Sequence, residues 1–201
     1  MNPVALLGLA SSLSFLAGWR MYLTLLGAGL AMRYGLIAPP AHMGLAFLAS
    51  WWVIGASAVG AAAEFFADKI AWVDSAWDAV HTFIRPLGGA LIAAAVVDAR
   101  DPGWQMAALL LGGGAALMSH TAKASTRALV QASPEPFSNM AVSAGEDVGS
   151  AGLLGLALAS PLAAGGVALL LFAVSAALIW SAWRTFHRVR LWVRARRGRV
   201  A

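Results

Sequence analysis

The chain carries its chemistry in five short polar blocks. Arg20 and Tyr22 form the first. Glu64, Asp68 and Lys69 form the second, and Asp74, Asp78, His81 and Arg85 the third. His120, Lys123 and Arg127 make the fourth, and Glu146 and Asp147 the fifth; Asn139, at the end of the proline loop before it, is a further candidate binding residue. Glu64 and Asp68 are four apart, so on a helix both carboxylates share one face. Such a pair attracts hard cations and can share a single proton. His120, Lys123 and Arg127 also fall on one helical face. That set suits an anion or a lipid headgroup, or it neutralises the acids of the other blocks.

Each block also has a plainer use. Arg20 fits a side chain that snorkels to a membrane interface. Asp74 and Asp78 fit the wet face of an interfacial helix. Glu146 and Asp147, near a helix start, fit the helix dipole. No catalytic residue is expected. The four histidines, 42, 81, 120 and 187, are scattered, with no spacing that makes a metal site. No nucleophile elbow, Walker loop or dinucleotide fingerprint appears, so no metal and no cofactor is expected.

The rest of the chain says where these blocks must sit. Apolar residues make up 60% of it and charged residues only 11%. Soluble domains carry about 25% charged residues, so the bulk solvent here must be lipid. There is no cysteine, hence no disulfide framework. Charge at membrane depth is costly, and it persists where it is paired, wet or functional. The blocks are therefore expected to converge in space. In particular, Glu64 and Asp68 should meet His120, Lys123 and Arg127.

The fold expected is an all-α polytopic membrane bundle of about six helices, some short or broken, with one interfacial amphipathic helix. Residues 4–32 would span roughly 44 Å as one helix, more than the ~30 Å hydrocarbon core, so this segment should tilt or break near Gly18. Residues 43–63 read as a clean span. Residues 72–85 read as the interfacial helix. After Pro86, the run 86–97 is too short to cross. Residues 104–130, 140–160 and 162–183 complete the bundle, joined by polar loops at Pro39-Pro40, Asp98–Gly103 and Ser133–Asn139.

Residues 1–183 thus form a single transmembrane domain and 184–201 a basic tail. The tail holds seven arginines and no acid, which points to the cytoplasmic side and to anionic headgroups rather than nucleic acid. Membrane lipids and a small charged solute or ion are the expected partners, and homo-oligomer formation is left open. Counting crossings places both termini in the cytoplasm.

The blocks taken as a set resemble a known family. Gly18-x-Arg20-x-Tyr22, Glu64-Phe-Phe-Ala-Asp68-Lys69-Ile, Val73-Asp74-Ser75-x-Trp77-Asp78, Thr82-x-Ile84-Arg85-Pro86-x-Gly88, His120-x-x-Lys123-x-x-x-Arg127, Ser133-Pro-Glu-Pro-x-Ser138-Asn139 and Ser143-x-x-Glu146-Asp147 are similar to the bacterial integral-membrane family known as domain of unknown function 4126. Its members read Asp-Lys-Ile-Pro where this chain has Ala71. The resemblance implies a multi-helix protein of the bacterial inner membrane. It implies no activity, substrate or catalytic residue. From the residues themselves, the expected function is a small transporter or channel for an ion or charged solute. An intramembrane enzyme or headgroup-binding protein and a structural scaffold are the alternatives.

Overall fold

The computed structural model describes residues 3–36, 44–97, 101–131 and 136–197. The expected loop at Pro39-Pro40, the stretch 98–100, residues 132–135 of the proline loop and the tail beyond Arg197 lie outside the described residues. Six α-helices follow in order: α1 (Pro3–Arg33), α2 (Trp51–Ala67), α3 (Ala71–Val97), α4 (Pro102–Gln131), α5 (Pro136–Ala159) and α6 (Pro161–Arg197). A short 3₁₀ turn, Gly44–Ala49, precedes α2. No strand occurs among the described residues, so the fold is all-α. Three segments, Pro3–Arg33, Trp72–Val97 and Pro161–Arg188, are long and apolar enough to cross a membrane.

The bundle turns apolar side chains outward as well as inward. Trp52 is 90% exposed and Phe83 is 82% exposed. In water this would be an aggregating surface; in lipid it is the expected outer face. Inside, α1 packs against all five other helices. Its first half carries no charge, and Leu9, Leu13, Leu16 and Ala17 are buried at the centre of the core.

Helix α1 breaks at Arg20, whose backbone leaves the helical region (φ −141°, ψ 76°). The break comes two residues after the Gly18 expected to mark it. Thr24 turns its hydroxyl back onto the Arg20 carbonyl at 2.8 Å, which satisfies an acceptor at the break. Gly18 is needed for a different reason. A Cβ there would overlap the Ala116 carbonyl and Ser119 Oγ of α4, so only glycine lets α1 approach α4 this closely. Both arms of α1 lead toward the α5–α6 junction: Gly8 packs against Pro161, and Gly27 against Leu154. A straight helix would hold these glycines ~28 Å apart, whereas Leu154 and Pro161 are close in sequence. Arg20 therefore sits at the apex of a bend.

The segment expected as an interfacial helix and the short run after it form one helix, α3, with Pro86 inside. Continuity changes the meaning of its polar residues. Asp74, Asp78, His81 and Arg85 recur at helical spacing and all turn inward, between 0% and 7% exposed. Asp74 and Asp78 are thus not the wet face of a surface helix. Helices α3 and α4 cross closely where Gly89 and Gly112 face each other. Ser14 Oγ of α1 donates to the Gly89 carbonyl at 3.0 Å, which pins the third helix at that crossing.

Candidate functional site

Five helices deliver charge to one interior region. Arg20 comes from the bend of α1. Glu64 lies on the last turns of α2, and Asp68 caps that helix, its backbone N–H donating to the Glu64 carbonyl. Asp74, Asp78 and Arg85 come from α3. His120, Lys123 and Arg127 come from the second half of α4, and Asn139, Ser143, Glu146 and Asp147 from the first turns of α5. Among the described residues, helix α6 adds no charge to the cluster.

Asp68 is the hub. Its Oδ2 takes Arg20 Nη1 at 2.6 Å, Lys123 Nζ at 2.9 Å and Arg127 Nη2 at 3.4 Å. Its backbone carbonyl accepts from Arg127 Nη1 (3.1 Å) and Asn139 Nδ2 (3.4 Å). Burial pushes the Asp68 carboxyl up, but the Lys123, Arg20 and Arg127 cations outweigh burial and hold it below the usual carboxylate range. Arg127 also reaches Glu146 Oε2 at 2.6 Å, Asn139 Oδ1 at 2.9 Å and Asp74 Oδ2 at 3.7 Å. Arg20 Nη2 reaches Asp147 Oδ1 at 2.6 Å. Asp147 pairs with Lys69 at 2.7 Å, and Lys69 donates to Ser143 Oγ. This last pair is the wet edge of the network. Its side chains are 24% and 26% exposed, whereas Lys123 and Asp68 are both at 0%.

A second centre forms around Arg85. Its Nη2 donates to Glu64 Oε1 at 2.7 Å, and its Nη1 to Asp78 Oδ1 at 2.9 Å and to His120 Nδ1 at 2.7 Å. An arginine can only donate, so Nδ1 of His120 is the acceptor and the ring proton sits on Nε2. Nε2 then donates to Thr82 Oγ1 (3.1 Å), and that hydroxyl donates to the Asp78 carbonyl (2.8 Å). His120 is therefore neutral as long as Arg85 holds it. His81 lies at the rim, stacked on Trp77 at 4.4 Å, with Nδ1 donating to the Trp77 carbonyl and Nε2 facing Tyr22 Oη at 3.1 Å.

The expected convergence is real, with one exchange of partners. Asp68 does meet Lys123 and Arg127. Glu64, expected beside them, is paired by Arg85 of α3 instead, because the continuous α3 carries Arg85 inward. Tyr22 stands at the rim through His81. Asp74, Asp78, His81, Thr82 and Ser143 also belong to the network, although Asp74 and Asp78 read from the sequence as the wet face of an interfacial helix. The signal was present: residues 74, 78, 81 and 85 form one helical stripe that ends in Arg85.

Beside the network, Phe15, Trp19, Leu171 and Val174 wall a cavity of about 300 Å³ that Lys123 and Glu146 also line. Among the described residues, no group of three or more histidine or acidic side chains is arranged to hold a metal.

No curated protein and no solved structure matches this sequence. The polar blocks that build the site are the ones on which the resemblance rested, and the family described as a domain of unknown function (DUF4126) matches residues 7–183; this chain belongs to that family.

Proposed function

We propose that this protein is a small membrane transporter or channel for an ion or small charged solute, with its charged network in a closed arrangement. The observation that carries this reading is the bend of α1. A helix interrupted at the residue that brings charge to the protein interior is how transporters build substrate sites. Arg20 occupies that position and joins Asp68 to Asp147. Two features support a path. The Lys69–Asp147 pair is partly exposed at one edge. The cavity beside Lys123 and Glu146 reaches the network from another side.

We place the protein in the bacterial inner membrane, with the arginine-rich end of α6 in the cytoplasm against anionic headgroups. The start of α1 is then on the opposite face, because Gly8 packs on Gly165 near the start of α6. This arrangement follows if α1 enters and leaves by the same face while α2 to α6 cross. The common cytoplasmic side for both termini that counting crossings suggests would instead require α1 to cross.

A scaffold is the second reading, and the dryness of the network favours it. Lys123 and Asp68, and Arg85 and Glu64, are paired and nearly inaccessible. Flux separates the two. Proteoliposomes loaded with a pH dye are exposed in turn to gradients of sodium, potassium, chloride and phosphate. Transport predicts a flux above empty liposomes for at least one ion, abolished by Arg20→Gln in protein that still inserts. No flux with any of them would favour the scaffold.

A further inference from the structure

The network does not balance its charges evenly. Among the described residues, the acids Asp68, Asp74, Glu146 and Asp147 lie around the cations Arg20, Lys69, Lys123 and Arg127, and Asp74 is also hydrogen-bonded to Asp68. Around Arg85 the count differs. Glu64 and Asp78 share that single guanidinium. His120 cannot supply the missing positive charge, because its Nδ1 lone pair is occupied by Arg85. Taken by themselves, Glu64, Asp78 and Arg85 carry one negative charge in excess, with Lys123 and Arg20 the next cations toward Glu64, at a depth where uncompensated charge is penalised by several kcal/mol.

The two acids are not equivalent. Asp78 is 7% exposed and Glu64 only 1%. Arg85 holds one oxygen of Glu64, and the other, Oε2, has no hydrogen-bond partner among the described residues. A buried carboxylate oxygen without a donor is expensive as an anion and far less so once it binds a proton. The charged groups acting on Glu64 are Arg85 of α3, Lys123 of α4, Arg20 of α1 and Asp68 of α2. Tyr22 of α1 and the neutral His120 of α4 stand beside the same centre, with His81 of α3 behind Tyr22.

We propose that Glu64 is a proton-binding site: its Oε2 takes up one proton from water, which turns the Glu64–Asp78–Arg85 centre from a net charge of −1 to neutral. Return of that proton restores the anion beside Arg85. As the identity of the coupling ion, this assignment rests on the transport reading. As a proton site it stands alone.

Infrared titration of the full-length protein in lipid nanodiscs tests it. The range runs from about pH 4.3, the ordinary glutamate value, to about pH 9, the upper end documented for buried glutamates. A carbonyl band of a protonated carboxyl should persist above the ordinary glutamate value and fade as the pH is raised further. It should shift on ¹³C-glutamate labelling and not on ¹³C-aspartate labelling. It should be lost in Glu64→Gln, and in Asp78→Asn, which removes the excess negative charge beside Arg85, it should fade at a lower pH. The labelling needs no variant, so a misfolded Glu64→Gln does not block the test. No protonated band above the ordinary glutamate value, a band that follows aspartate labelling, or a band that survives Glu64→Gln would each overturn the assignment. Because the measurement requires no flux, its failure leaves the transport reading standing, and a failed flux assay leaves the proton site standing.

Discussion

At the scale of residues, the hub is Asp68, a single carboxylate held by three cations. Removing one partner of a buried pair leaves the other charge uncompensated, at a cost of about 3–5 kcal/mol. Asp68→Asn is therefore expected to lower the stability of the purified protein by about that amount, measured as thermal unfolding in detergent. Lys123→Met should cost less, because Asp68 keeps Arg20 and Arg127, and the double variant should lose less than the sum, since Lys123 is then no longer stranded. Strict additivity would mean that the 2.9 Å contact contributes no coupling. The pH dependence has a definite sign. The folded value of Asp68 is depressed, so its contribution is present above the ordinary aspartate value of about 3.9. It is lost only as pH falls through the lower folded value. Unfolding curves should show no loss attributable to Asp68 between neutral pH and the ordinary aspartate value.

At the scale of elements, two helices decide the site. The bend in α1 sets Arg20 at an apex, and the continuity of α3 turns four polar residues inward. The position of Arg20 depends on the contact between α1 and α4 at Gly18. Gly18→Val would force side-chain atoms into the Ala116 carbonyl, which is helix backbone and cannot yield. A loss of about 1–3 kcal/mol is expected, the range for overpacking. Gly55 is the natural control, because a Cβ there meets nothing. Gly55→Ala should be neutral or stabilising by up to about 1 kcal/mol, through helix propensity alone. Equal melting temperatures for the Gly18 variant and wild type would show that the two helices have room to separate.

At the scale of the whole molecule, the structure is a bundle with an apolar exterior and a charged interior set toward one end. The last part of α6, from Ile179 to Phe186, packs near Ser125 to Leu129 at the end of α4, so the arginine-rich segment leaves the bundle on the side of the network. If that side is cytoplasmic, a C-terminal fluorescent protein should mature and glow in cells, and a C-terminal alkaline phosphatase should stay inactive. An N-terminal fusion should give the opposite pattern. The same readout at both ends would require α1 to cross.

Much of this was legible in the sequence. Composition alone made lipid the bulk solvent, since no soluble domain covers so much apolar surface. The cost of charge at depth made convergence of the polar blocks a physical requirement before any contact was known. The polar spacing of Glu64 and Asp68 and of His120, Lys123 and Arg127 placed each set on one helix face. What the sequence left undecided was which block meets which. Pro86 reads locally as a helix start, and that reading cut α3 in two and put Asp74 and Asp78 in water. Tertiary packing overrode it: with the helix continuous, Arg85 turned inward to Glu64, and Lys123 was left to Asp68. Local rules set helix propensity and face. The choice of partner depends on the angles at which whole helices cross, and those are set by contacts such as Gly18 on Ala116 and Gly89 on Gly112, between residues far apart in the chain.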